Sequence, residues 1–187
     1  MKLLPIVEGP GDKAALPILL RRLLHAHEIY DVEVMRPYTL GDVYKVVKNF
    51  RRYVLTAAKE GAPILWTLDL DDGCPVEILK LLEKELPAGV NVPLKFSFFV
   101  REYESMFICE QQCLLELGLV DDCVFPEQPE AIRGAKEWIS KAMPSGRSYK
   151  ETVHQAKLSH SVDLGRVRER SSSFRHLEKA LLSLVQR

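Results

Sequence analysis

Acidic side chains follow two apolar runs that lie far apart in the sequence. Glu8 comes directly after the run at residues 3–7, and Asp69 and Asp71 come after the run at residues 63–68. Parallel strands of an open α/β sheet bring their carboxyl ends to one edge, so we expect these side chains to lie close together. Mg²⁺ and Mn²⁺ prefer carboxylate oxygens, beside water and substrate phosphate. The pattern therefore predicts a divalent-cation site at that edge.

The two acidic segments differ in how strongly they indicate a metal site. Asp69 and Asp71 are two residues apart, so on a continuing strand both side chains would face one side. Asp72 is then either a third ligand or the cap of the next helix. Aspartates after a strand are also common in turns, especially beside a glycine such as Gly73. Glu8 distinguishes a metal site from an ordinary turn. A carboxylate between a strand and a Gly-Pro-Gly turn is poorly placed for capping and well placed to face a ligand.

Apolar runs alternate with helical patterns along the first half of the chain. We expect strands at residues 3–7, 32–36, 63–68 and 94–100. Helices are expected at residues 12–27, 42–58, 76–86, 104–117, 130–142, 149–158 and 173–185. Between the last two lies the segment 162–170, which is charged and has few apolar residues. Strands that alternate with helices predict an α/β fold with a mostly parallel sheet flanked by helices.

The length of 187 residues allows one full hydrophobic core. Prolines and a Met-Pro-Ser-Gly segment follow residue 125, so we expect an α/β core at residues 1–125 and a basic, mostly helical extension at residues 126–187, packed on the same domain. No apolar run approaches the roughly 20 residues of a membrane span. Glu8 and Asp12 interrupt the first apolar stretch too early for a signal peptide. We therefore expect a cytoplasmic protein with no membrane partner.

Charge is balanced overall but unevenly distributed. Residues 131–187 carry 12 Lys and Arg against 5 Asp and Glu, whereas residues 1–130 carry 14 against 21. An acidic first part and a basic second part of the chain suit a polyanionic substrate that is held beside cations. The candidates for binding substrate phosphate are Lys157, Arg175 and Ser173. A solvated basic surface with a serine helix cap explains these three residues equally well.

A family resemblance rests on the same residues. An apolar strand that ends in Glu8-Gly9, followed by a helix and a later strand that ends in Asp69-x-Asp71, resembles the TOPRIM catalytic domain of topoisomerases, primases and overcoming-lysogenization-defect nucleases. More narrowly, the chain is similar to the TOPRIM-like bacterial proteins of domain of unknown function 4276. The further shared stretches are residues 14–20, residues 101–107 (Arg-Glu-Tyr-Glu-Ser-Met-Phe) and residues 171–174 (Ser-Ser-Ser-Phe).

The resemblance implies a TOPRIM-like, Rossmann-like fold and a nuclease that breaks phosphodiester bonds of DNA or RNA. It implies that Asp69 and Asp71 bind Mg²⁺ or Mn²⁺, and that Glu8 is the general acid or base, or a third ligand. It also implies a partner ATPase in defence against phages or mobile elements. Glu104 is a further candidate ligand, because it follows the strand at residues 94–100. The alternative for Glu104 is a helix-start acid that interacts with the helix dipole.

Two other functions fit parts of the pattern. A TOPRIM-like protein can keep the fold and the ion yet act as a non-catalytic interaction subunit. The segment Asp69-Leu70-Asp71 also looks like the motif of haloacid dehalogenase-type phosphatases, in which Asp69 would be the nucleophile. That motif requires Thr or Val where this chain has Asp72-Gly73-Cys74. It also normally follows the first strand, whereas here it follows the third.

Overall fold

The structure is a computed structural model that describes residues 1–39, 43–121 and 124–186. Within these ranges one sheet contains β1 Lys2–Val7, β2 Glu33–Val34, β3 Tyr38–Thr39, β4 Ile64–Asp69 and β5 Leu94–Phe99. The strand order is β2-β1-β4-β5, with β3 also beside β1, and each described pair is parallel. The predicted α/β fold with a parallel sheet is confirmed.

Helices cover both faces of the sheet. The helices in the described part of the chain are α1 Pro10–Ala26, α2 Val43–Ala58, α3 Pro75–Lys84, α4 Ser105–Cys109, α5 Gln111–Glu116, α6 Ala135–Ala142, α7 Glu151–Ser161, α8 Leu164–Arg170 and α9 Ser172–Val185. A short 3-10 helix occupies Pro129–Ala131. The predicted flanking helices and helical C-terminal region are confirmed. None of the described helices has the length and apolar character that a membrane span requires.

The central strands explain why apolar residues run almost without interruption. Leu3 and Val7 of β1 pack in the core that contains α1, α4 and α9, whereas Leu4 and Ile6 pack in the core beneath α2 and α3. A strand covered on both faces needs apolar side chains on both. The first core also contains residues of α6, α7 and α8, such as Leu158.

The second strand is shorter than the expected residues 32–36. β2 pairs with the start of β1, where Lys2 lies opposite Glu33, and β3 pairs with its end, where Ile6 lies opposite Tyr38. Pro37 separates the two short strands and has no backbone N–H to donate to a sheet. The expected start of the following helix, at residue 42, lies outside the described residues.

Three helical expectations need correction. Residues 104–117 form two helices, because Glu110 adopts φ −114° and ψ 75° and its carboxylate caps α5 by accepting the Cys113 N–H. Residues 130–142 begin with the 3-10 helix and reach α6 only after Gly134, whose φ is 69°. Residues 162–170 contain the unpredicted α8, which Asp163 caps. Val167 is buried in the core and Leu164 packs against it, but two apolar residues were too weak a signal to predict α8.

α1 and α7 approach each other closely at Gly11. A Cβ atom at this position would lie 2.7 Å from Glu151 Cβ and would collide with the amide of Gln155. Gln155 Nε2 donates to Asp12 Oδ1 at 2.7 Å, so the same contact fixes the first turn of α1. The absence of a side chain at Gly11 therefore allows α7 to dock beside the end of β1.

Substitution of Gly11 tests this docking. We expect Gly11→Ala to lower the free energy of unfolding by about 1–3 kcal/mol, the usual cost of overpacking, because both neighbours belong to a packed helix. Urea unfolding followed by circular dichroism measures the change. Gly9→Ala is the matched control: its Cβ would lie 3.5 Å from Asp12 Oδ2, and its φ of −118° suits any residue. Equal destabilisation by the two variants would contradict the close approach.

Candidate functional site

The ends of β1 and β4 bring Glu8 and Asp69 together, as the sequence predicts. Glu8 lies one residue beyond β1, and Asp69 is the last residue of β4. Glu8 Oε1 accepts the backbone N–H of Asp69 at 2.9 Å. The two strands are neighbours in parallel register, with Ile6 opposite Trp66, so this juxtaposition follows from the sheet.

Asp69 also joins the sheet to the segment after β5. Its Oδ1 atom accepts the backbone N–H of Tyr103 at 3.0 Å, and the buried Tyr103 hydroxyl contacts Ser159 Oγ of α7 at 2.8 Å. Part of Asp69 reaches the surface, but protein surrounds its carboxylate. Burial raises the pKa of Asp69 well above its usual range, and the charges of Asp12, Glu104 and Glu8 raise it further.

Glu104 is buried in the same region. Its Oε1 atom accepts the hydroxyl of Tyr149 at 3.0 Å. Its Oε2 atom has no hydrogen-bond partner among the described residues and lies 3.9 Å from Lys136 Nζ. Burial raises the pKa of Glu104 to about 8, although Lys136 opposes this shift. The carboxyl group therefore holds a proton near neutral pH.

Asp12 is a fourth carboxylate, and the sequence placed it only at the start of the first helix. Its Oδ2 atom accepts the Gly9 N–H at 3.0 Å, which is a capping contact. Its Oδ1 atom accepts Gln155 Nε2, so Asp12 also faces α7. Burial raises the pKa of Asp12, and its charge acts on Asp69, Tyr103 and Glu104. No local pattern distinguishes this role from capping.

Lys136 of α6 is the cation beside the four carboxylates. Its Nζ atom forms an ion pair with Glu151 Oε1 at 2.8 Å. Burial alone would lower the pKa of Lys136, but Glu104, Glu151 and Asp69 raise it, so the amine stays charged. An open cleft of about 560 Å³ adjoins it, and the basic residues that line the cleft are Lys136, Lys141 and Lys150. Tertiary packing alone brings this lysine to the sheet.

Asp71 and Asp72 turn toward Arg101 instead. Asp71 is exposed with a φ of 49°; its N–H donates to the Arg101 carbonyl oxygen, and its own carbonyl oxygen accepts Arg101 Nη1. Asp72 forms ion pairs with Arg101 and, at 3.0 Å, with Arg133. These contacts bring Glu8, Asp69 and Glu104 together, whereas those of Asp71 involve its backbone. A role of Asp71 or Asp72 as a metal ligand stays a prediction.

The three candidate phosphate-binding residues lie in different surroundings. Ser173 is buried at the start of α9, where its Oγ atom accepts the Val100 N–H and its own N–H donates to Glu130. Arg175 donates to the Arg168 carbonyl oxygen at 2.7 Å. Lys157 lies exposed on α7. Their role in phosphate binding stays a prediction.

The family of the chain follows from its sequence profile. The family model DUF4276, a domain of unknown function, matches residues 7–182. The chain belongs to the DUF4276 family. The matched segment extends from the end of β1 into α9 and therefore includes Glu8, Asp69, Glu104 and Lys136. The family predicted from the sequence is confirmed.

Distant structural relatives of this DUF4276 chain are C-terminal regions of OLD proteins. The chain is similar to that of Burkholderia pseudomallei at 13% identity and a TM-score of 0.47, with 97% of this chain and 96% of that chain covered. The chain is also similar to the C-terminal region of the Xanthomonas campestris pv. campestris OLD protein. The identity is 14% and the TM-score 0.42, with 97% of this chain and 96% of that chain covered. TM-scores below 0.5 transfer no function. Among curated proteins, none matches the chain significantly.

The donor set of the DUF4276 site has the chemistry of a hard-cation site without a closed geometry. In residues 1–39, 43–121 and 124–186, no three Asp, Glu, His or Cys side chains converge enough to enclose a metal ion. The carboxylates nevertheless raise the pKa of Asp69, and Glu104 Oε2 is buried without a hydrogen-bond partner among those residues. A divalent cation would compensate both effects. The chemistry of these carboxylates therefore suits such an ion, but the described residues do not close a three-ligand site around it.

Glu104 makes stability depend on pH in a defined direction. Its pKa of about 8 lies above the ordinary value of 4.5, so the folded chain keeps a proton that the unfolded chain has lost between these values. Stability must fall as pH rises through this window. Glu104→Gln cannot ionise and should make this fall smaller, while the raised pKa values of Asp69 and Asp12 maintain the rest of it. Urea unfolding with EDTA between about pH 5 and about pH 9 measures it.

The control for this prediction is Glu85→Gln, which changes an exposed glutamate at the end of α3. We expect it to leave the pH dependence as in the unsubstituted chain. A pH dependence that is the same in all three proteins would contradict a buried, protonated Glu104.

Proposed function

We propose that this DUF4276 protein is a divalent-metal-dependent nuclease of TOPRIM type that hydrolyses phosphodiester bonds. The observation that carries the proposal is the grouping of Glu8, Asp69 and Glu104 around the carboxyl ends of β1 and β4, with Lys136 beside them. Buried carboxylates whose pKa values are raised further by one another are typical of functional sites, because catalysis and metal binding need such shifts.

Glu8 and Asp69 are the side chains that would hold Mg²⁺ or Mn²⁺, with Glu104 behind them and Asp71 at the exposed rim. When bound, such an ion activates water and stabilises charge on the phosphoryl oxygens. The hydrogen bond from Asp69 N–H to Glu8 Oε1 and that from Tyr103 N–H to Asp69 Oδ1 fix both carboxylates before any ligand arrives. Preorganisation of this kind favours catalysis over mere cation binding.

Proton transfer falls to the carboxyl group of Glu104, because Glu8 serves as a ligand. Glu104 holds a proton at a pKa of about 8, which suits a general acid near neutral pH. Burial and the charge of Glu104 raise the pKa of Tyr149, so its hydroxyl stays protonated and orients the Glu104 carboxyl group.

Lys136, Lys141 and Lys150 are the proposed contacts for substrate phosphate. They line one cleft next to Glu104, and all three belong to the basic second part of the chain. A row of lysines beside the carboxylates would guide a polyanionic strand by charge, without reading its sequence. The polymer is a nucleic acid, DNA or RNA. An ATPase partner and a role in defence stay predictions from the sequence resemblance.

The phosphatase alternative receives less support from the geometry. A carboxylate nucleophile must be ionised and directed at phosphorus. Asp69 has a raised pKa, and its Oδ1 atom accepts the Tyr103 N–H. The raised pKa opposes both roles, but a bound cation would lower the pKa of a ligand.

A cleavage assay tests the proposal. Purified protein is incubated with linear double-stranded DNA, single-stranded DNA and single-stranded RNA in Mn²⁺ or Mg²⁺. We expect EDTA to stop cleavage, and we expect Glu8→Gln, Asp69→Asn and Asp71→Asn each to lower the rate by at least about 100-fold, because each removes a ligand. Asp72→Asn should retain most activity, because Arg101 and Arg133 already bind this carboxylate.

The matched control is Asp31→Asn, an exposed aspartate beside the N-terminal amine at the opposite end of β1. It should cleave at the unsubstituted rate. Equal cleavage by Asp69→Asn would show that the site assignment is wrong. Absence of cleavage on all three substrates would refute a nuclease that acts alone and would favour the non-catalytic interaction subunit.

A further inference from the structure

β5 forms an open edge of the sheet. Among the described residues it pairs only with β4, and its Phe99 carbonyl oxygen accepts the Leu70 N–H at 2.9 Å. Backbone groups of successive residues in a strand point to opposite sides. The N–H and C=O groups of Phe96 and Phe98 must therefore point away from β4. At the end of the strand, the outward N–H of Val100 is satisfied by Ser173 Oγ.

A groove of about 430 Å³ runs along this edge between α3 and α9. Its α3 wall is apolar, because Pro75 and Leu79 line it and the half-buried Phe96 and Phe98 rings pack against the core on that face. Four successive residues of β5, residues 95–98, contribute to the lining. Successive residues of a strand point to opposite faces. A groove lined by all four therefore follows the edge of the strand rather than one of its faces.

The α9 wall of the groove is basic and polar. His176 and Lys179 of α9 are exposed there, and Lys95 and Ser97 lie on the same face of β5 as Phe99, which packs on the α9 side. No carboxylate is among the described residues that line the groove. The Ser97 hydroxyl is buried and has no hydrogen-bond partner in the described part of the chain. The wall therefore offers positive charge and a hydroxyl group to an anionic ligand.

We propose that the groove binds an extended, acidic segment of another protein, which adds to β5 as a further strand. Alternate side chains of an added strand point to opposite faces, so its apolar residues would contact Pro75 and Leu79 and its acidic residues would contact His176 and Lys179. Main-chain hydrogen bonds to Phe96 and Phe98 would supply the part of the affinity that does not depend on the sequence of the bound segment. A second copy of the chain fits poorly, since pairing β5 with itself would bring two basic walls together.

This surface is separate from the proposed nuclease site. The carboxylates are held by β1, β4 and α7, whereas the groove uses the outer side of β5. Failure of one proposal therefore leaves the other standing. A segment bound in the groove would dock a partner beside the sheet while the ends of β1 and β4 stay open.

The test uses a fluorescein-labelled peptide of about six residues, the usual strand length, in which Glu and Val alternate. Fluorescence anisotropy should show binding to the full chain, and a Lys-Val peptide of equal length should not bind. Lys179→Glu reverses one charge of the basic wall and should weaken Glu-Val binding by at least about 10-fold. Lys59→Glu makes the same change at an exposed residue of another surface and should leave binding unchanged.

Amide hydrogen exchange identifies the contact directly. The Glu-Val peptide should slow exchange at Phe96 and Phe98 in the unsubstituted chain. Three outcomes would overturn the proposal: no binding, equal binding of the Lys-Val peptide, or binding without slower exchange at these amides. Sedimentation velocity adds a fourth. A dimer that Lys179→Glu weakens or strengthens would mean that the groove is an interface between two copies.

Discussion

Repulsion between carboxylates at the carboxyl ends of β1 and β4 is the constraint to which the surrounding structure responds. Glu8, Asp12 and Glu104 all raise the pKa of Asp69, and Lys136 is the cation that opposes them. Burial is the largest cause of the raised pKa of Asp69, and it is costly unless hydrogen bonds or charges compensate it. The compensation comes from fixed donors, the N–H groups of Gly9, Asp69 and Tyr103 and the side chains of Gln155 and Tyr149. A bound divalent cation would complete the balance of charge.

The helical C-terminal region completes this site. α6 supplies Lys136, α7 supplies Gln155 and Glu151, and Tyr149 precedes α7. These residues reach the sheet because Gly11 lets α7 lie directly against α1. The residues that fold against the sheet thus also set the electrostatics of its edge. A fragment that ended before α6 would keep the backbone donors but lose the side-chain donors Gln155 and Tyr149 and the cation Lys136.

The sequence predicted the parts of this arrangement that depend on local pattern. The apolar runs before Glu8 and Asp69 predicted two buried strands, and the parallel order then placed both carboxylates at one edge. Asp12 was not predicted as part of the site, because its contact with Gln155 joins residues far apart in the chain. Lys136 carried no local signal for the same reason. These contacts arise from tertiary packing, and the periodicity of a single sequence does not show which distant residues pack together.

Backbone geometry accounts for the other differences. A continuing strand would have placed Asp71 beside Asp69, but the chain turns at Asp71 with a φ of 49° and its backbone bonds to Arg101 instead. Glu110 divides the expected long helix in a comparable way, through a non-helical conformation and a new cap. Asp tolerates the left-handed region better than most residues, so this turn is compatible with the sequence without being evident from it.

Anomalous diffraction from a crystal soaked in Mn²⁺ tests the central claim most directly. We expect one peak within about 2.5 Å of carboxylate oxygens of Glu8 and Asp69, a distance usual for oxygen ligands of divalent cations. We expect the peak to disappear in Asp69→Asn. A peak bound only by Asp71 and Asp72, or the absence of any peak near Glu8 at saturating Mn²⁺, would contradict a metal site at the ends of β1 and β4.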